Sequence, residues 1–138
     1  MKPVMQTVLP GSGRVGDCLR ACIASLLEQP CEAVPHYMNF DDWRERLSGW
    51  LEEERGLALL EFDLTKPLDG VYPVTERTYV IVAGATRRHP DRLHAVVART
   101  YGGGLRWQYV HDPHPSADFL LREERLYMLV CTDPKERR

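Results

Sequence analysis

The feature that most constrains this chain is a change of hydrophobic period near Leu57. Before it, apolar residues recur at helical spacing. After it, short runs rich in β-branched and aromatic residues are separated by Gly, Pro and Asp clusters. Leu19, Cys22, Ile23, Leu26 and Leu27 fall on one face of a first helix, which Asp17 is placed to cap and Pro30 stops. A second helix is bracketed by Asp41-Asp42 and Gly56, with Trp43, Leu47, Trp50 and Leu51 as its inner stripe. The strand-like runs are residues 57–64, 78–85, 93–100, 105–111 and 126–132. Helices first and strands afterwards predict an α+β fold, with N-terminal helices packed on an antiparallel sheet. At 138 residues the length predicts a single domain spanning 1–138.

Charge and composition narrow the function. The net charge is −2, and acids and bases are interleaved, so no basic stripe marks a nucleic-acid groove. The basic tail at 135–138 reads as a solvated terminus. Apolar runs are too short to cross a membrane, and residues 1–6 lead into no apolar stretch of the kind a secretory signal carries. The expected setting is therefore the cytoplasm, with Cys18, Cys22, Cys31 and Cys131 as free thiols.

Three segments carry the chemistry. Gly16-Asp17-Cys18 places a cysteine in the first turn of a helix, directly after a turn-rich loop at residues 10–16. The unpaired N–H groups and the positive end of the helix dipole favour a thiolate there, and the thiolate is the nucleophile. Cys22, one turn on, and Cys131, in an apolar strand, read as core, whereas Cys31 follows a proline in a connector open to solvent. The second segment, Leu93-His94-Ala95-Val96-Val97, opens a strand with a histidine. The third, Val110-His111-Asp112-Pro113, closes a strand with an aspartate.

Between the second and third segments lies Gly102-Gly103-Gly104, which reads as a three-residue hairpin loop. That loop would set His94 opposite Asp112, Val96 opposite Val110 and Ala98 opposite Gln108. Opposed residues have Cβ atoms roughly 4.5–5.5 Å apart on one face, whereas a one-residue slip would part them. The same register sets Arg99 against Trp107 as a cation–π pair. Cys18 is then the candidate nucleophile, His94 its base and Asp112 the group that orients the base. The oxyanion would be met by the Cys18 N–H and by Gln6, in the extended segment upstream.

The upstream Gln6, Asp17-Cys18-x-x-Ala21-Cys22 opening a helix, His94-Ala95-Val96-Val97 and Val110-His111-Asp112-Pro113 together resemble the papain-like cysteine peptidases. The nearest branch removes double-glycine leaders from bacteriocins. The chain is more similar still to short bacteriophage and bacterial proteins with a Gly-Asn/Asp-Cys opening and a His-Asp-Pro-His-Pro-Ser stretch, here residues 111–116. The resemblance implies a papain-like fold and hydrolysis of a peptide or protein substrate, with no cofactor and no metal. It implies Cys18, His94 and Asp112 as the triad, with Gln6 at the oxyanion. Two departures are Leu19, where the leader peptidases have Gly, and the longer spacing from Gln6 to Cys18.

Three other readings compete. His111 and His114 with Cys18 and Cys22 or His94 offer zinc ligands, although His111 alternates to the face opposite His94. A silent papain-like module that binds a host protein would keep the fold without turnover. Acyl transfer or deamidation would use the same triad with a different leaving group or acceptor.

Overall fold

The computed structural model describes residues 1–9, 16–66, 77–90, 92–103 and 106–132. The turn-rich loop at 10–15, residues 104–105 of the hairpin and the basic tail lie outside them. Helix α1 spans Cys18–Leu27, and a single 3₁₀ turn covers Cys31–Ala33. Helix α2 spans Trp43–Arg55. Five strands follow: β1 (Leu57–Asp63), β2 (Tyr79–Ala85), β3 (His94–Tyr101), β4 (Arg106–His111) and β5 (Arg122–Cys131). They form one antiparallel sheet in the order β1-β5-β2-β3-β4.

Gly56 ends α2 in the left-handed conformation at φ 62°, where a side chain is disfavoured. Strand β5 begins four residues earlier than its apolar pattern predicts. Arg122-Glu123-Glu124-Arg125 carries no alternation to read, yet pairs with residues 83–85 of β2 across a bulge.

Both helices pack on one face of the sheet. Leu19, Cys22, Ile23, Leu47 and Leu51 bury against Ile81, Ala83, Ala95, Val97 and Tyr127. The other face has its own cluster, in which Val80, Val82, Val96, Ala98, Leu126 and Met128 pack with Phe62, Trp107, Tyr109 and Phe119. Because both faces are covered, residues 80–85 are all buried, and β2 reads as a continuous apolar run instead of an alternating one. The architecture is α+β, two helices on a five-stranded antiparallel sheet.

The hairpin departs from its predicted register. Tyr101 pairs with Arg106, so the loop holds four residues and not three, with Gly102 and Gly103 at positive φ. Ala98 then faces Tyr109, Arg99 faces Gln108, and Thr100 faces Trp107. The Arg99–Trp107 pair does not form. Arg99 lies over Tyr79, and Trp107 Nε1 donates to Glu123 at 2.8 Å. A one-residue slip should also have separated His94 from Asp112. A second irregularity cancels the first: between Ala98 and Val97 the register steps once more, leaving Val97 opposite His111. Two single steps restore the parity of the strand, and Asp112 comes to lie diagonal to His94. Diagonal neighbours are within reach of longer side chains.

Candidate active site

Cys18 is the first residue of α1 and half-buried. His94 is the first residue of β3, the strand that α1 packs against. The pairing of His94 with Gly84 of β2 fixes its backbone. The 2.6 Å contact between His94 Nε2 and Asp112 Oδ1 is the shortest link in the cluster, and both side chains are almost wholly out of solvent. Asp112 accepts two further hydrogen bonds, from the His114 N–H at 2.9 Å onto Oδ1 and the Phe119 N–H at 2.8 Å onto Oδ2. The chain between them curls tightly, with Ala117 and Phe119 in the left-handed region at φ 53° and 59°. Such conformations persist in non-glycine residues only where the surroundings hold them. Here the curl turns two N–H groups onto one carboxylate.

Electrostatics follow from that geometry. Burial alone would raise the Asp112 carboxyl, but the hydrogen bonds from His94, His114 and Phe119 more than offset it and hold the group below the ordinary carboxylate value. For His94 burial works toward the neutral ring. Hydrogen bonds to Asp112 and Cys18, with the charge on both, overcome it and bring the imidazole up to about 9. The ring is therefore a cation near neutral pH, held between a carboxylate and a sulfur. With Nε2 engaged by Asp112, Nδ1 is the ring nitrogen left to exchange a proton with Cys18. His114 stands edge-on to His94, ring centroids 6.1 Å apart, and its Nδ1 is held 2.9 Å from the Ser116 hydroxyl.

Gln6 lies on the segment that runs beside this site. Its backbone N–H donates to Pro113 O at 3.0 Å, next to Asp112, and its Nε2 donates to Val8 O at 2.9 Å. Val8 O also accepts the Asp17 N–H at 3.2 Å. The Gln6 amide and the residue before Cys18 thus share one acceptor. Nε2 is held by Val8, and the amide oxygen Oε1 is buried with no hydrogen-bond partner among the described residues. His111 anchors the same segment, its Nε2 2.7 Å from Val4 O. Among the described residues no group of three or more His, Cys, Asp or Glu is placed to share a metal ion.

Asp17 behaves differently from the expected cap. It occupies the N-cap position, but its side chain makes no cap hydrogen bond. Fully buried, it reaches back to the N-terminal segment instead. Oδ1 accepts the Thr7 and Val8 N–H groups at 3.0 and 2.8 Å, and Oδ2 accepts the Thr7 hydroxyl at 2.6 Å and Arg20 at 3.3 Å. Cys31, expected at the surface, is buried with its thiol 3.5 Å from Asp17 Oδ2, and burial together with that carboxylate pushes it up to about 11. Cys22 is fully buried, as its place on the apolar face predicts, and Cys131 is half-buried. All four thiols are free. The structural weight of Asp17 was hidden because a residue before a helix looks like a cap, and its partners lie nine and ten residues upstream.

Beside the sulfur is an apolar hollow of about 50 Å³, lined by Met38, Trp43, Leu93 and Tyr127 as well as Cys18 and His94. Among the described residues no helix is long and apolar enough to cross a membrane. No protein-family model, no curated protein and no solved structure matches the chain.

Proposed function

We propose that this chain is a papain-like cysteine hydrolase that cleaves a peptide or isopeptide bond through Cys18, His94 and Asp112, without a cofactor. The observation that carries the reading is the buried 2.6 Å His94–Asp112 contact beside a cysteine at the first position of a helix. Helices on one face of an antiparallel sheet, with the nucleophile at a helix start and the base at a strand start, also suit a papain-like arrangement.

The chemistry follows from the pair. The proton shared by Cys18 and His94 Nδ1 rests on the imidazole, and the sulfur attacks the scissile carbonyl carbon as a thiolate. Asp112 holds the ring with Nε2 as donor and stabilises the imidazolium. The carbonyl oxygen, now an anion, accepts hydrogen bonds from the Cys18 N–H and the second N–H of Gln6 Nε2. Collapse breaks the C–N bond, and the amine leaves with the His94 proton. Water then attacks the thioester, gives a proton to His94, and frees the acid and the thiol. Acyl transfer or deamidation would change only the acceptor or the leaving group.

The test is unbiased. Wild-type and Cys18→Ser protein are incubated with cell lysate, and new peptide termini are sequenced. Termini produced by the wild type alone are the expected result. Identical termini in both samples would leave a binding module as the better description.

A further inference from the structure

A second hollow opens on the far side of Leu93. It is larger, about 300 Å³, and Leu93 lines both it and the hollow beside Cys18. Three guanidinium groups and one carboxylate border it: Arg92 from the loop before β3, and Arg122, Glu124 and Arg125 from β5. No basic cluster is visible in the sequence here, because residues 30 positions apart meet only when β5 pairs with β2. In the sheet His94 lies beside Gly84, and Gly84 beside Glu123, so Arg122 is one residue from that row and two strands from the imidazole. At about 4.8 Å per strand, it lies roughly 10 Å across the sheet. Arg92 is only two residues before His94, roughly 7 Å of extended backbone.

The charges bordering the hollow are unevenly balanced. Arg125 is paired with Asp63 at 3.1 Å, and Arg122 reaches Glu124 only at 3.9 Å. Arg92 is exposed and makes no ion pair among the described residues. The rim is therefore set to take an anion, and guanidinium groups bind carboxylates in a two-pronged geometry.

We infer that this hollow is a substrate subsite, and that the enzyme selects peptides carrying an Asp or Glu side chain two to four residues from the scissile bond. The inference rests on the cysteine-hydrolase reading and gives its substrate class. A peptide residue spans about 3.5 Å when extended, so that spacing lets an acidic side chain reach Arg92 and Arg122 while the scissile carbonyl lies against Cys18. Leu93 forms the ridge over which the chain passes.

The experiment uses a proteome-derived peptide library digested by the intact 138-residue chain, with cut sites read by sequencing. Cleavage by the wild type is expected to be enriched at least threefold in Asp or Glu at one position two to four residues from the cut. In an Arg92→Glu/Arg122→Glu double variant that enrichment should vanish or reverse toward Lys and Arg. For one acidic peptide drawn from the set, KM should rise about tenfold while kcat and the alkylation rate of Cys18 are kept. Enrichment should also weaken in 0.5 M salt, because exposed charge pairs are screened. Cutting with no acidic preference, or a preference unchanged in the double variant, would overturn the subsite and leave the hydrolase standing. No cutting by the wild type would remove both.

Discussion

His94 is the residue on which pH acts most directly. Its ring, raised to about 9 from an ordinary 6.5, adds stability that is fully present below pH 6.5 and is lost as pH rises through about 9. Asp112 is lowered, so its contribution is present above the ordinary carboxylate value of 3.8 and lost as pH falls below it. Urea melts of wild type and His94→Ala should differ most between about pH 4 and 6.5 and converge above pH 9. On the hydrolase reading the same proton sets activity: kcat/KM should fall along an alkaline limb near pH 9, and Asp112→Asn should move that limb to lower pH. Asp17 ties the segment that carries Gln6 to the start of α1 through Thr7 and Val8, which on the hydrolase reading makes it a positioning residue. Asp17→Asn should slow acylation of Cys18 by a nitrophenyl ester roughly 100-fold, about the effect of losing an oxyanion donor, and should raise the rate of alkylation by iodoacetamide or lower it by no more than about twofold. Alkylation builds no oxyanion, so a merely structural defect would lower both rates together. Thr7→Val, which removes one hydroxyl from the same carboxylate, should show the same split in milder form. Cys18, His94 and Asp112 could be picked out as candidates because each sits at an element boundary that the sequence marks: a loop before a helix, the start of a strand, an Asp-Pro at a strand end. Cys31 was misread because a proline-led connector looks exposed until Asp17 is known to be its partner.

At the scale of elements, the hairpin shows what local sequence can and cannot carry. Three consecutive glycines announced the turn, and the strands on either side formed. Loop length and the step at Val97 were not legible, since a bulge is decided by packing across strands and not by the residues within it. The His94–Asp112 meeting survived because two one-residue steps in register return the side chains to the same face. Gly84 is the clearest element-level test. A Cβ there would stand 1.7 Å from the Arg122 carbonyl oxygen, against backbone that cannot yield without shifting β5. Gly84→Ala should cost at least about 2 kcal/mol in urea unfolding and disturb His94, its partner in β3. Gly49, within α2, has open space around its Cβ position. Gly49→Ala should therefore stabilise the protein by up to about 1 kcal/mol through helix propensity alone. Equal effects at the two glycines would mean that the bulge between β2 and β5 is not the constraint described here.

At the scale of the whole molecule, the sheet is the device that brings distant chemistry together. Cys18 and His94 meet because α1 lies on β3, and the arginines reach Leu93 because β5 pairs with β2. The change of hydrophobic period foretold helices on a sheet, but the strand order β1-β5-β2-β3-β4 inserts the last strand between β1 and β2, and no periodicity states that. That is why Cys18, His94 and Asp112 could be picked out from the chain and the basic hollow could not. The most direct measurement is the rate of Cys18 alkylation by iodoacetamide between pH 5 and 9, in wild type and in His94→Ala, with modified residues located by mass spectrometry. An imidazolium beside the sulfur predicts rapid labelling of Cys18 at pH 6, ahead of buried Cys22 and Cys31, and a loss of at least about tenfold at that pH in His94→Ala. A wild-type Cys18 that reacts at pH 6 no faster than free cysteine, with a rate indifferent to His94, would contradict it.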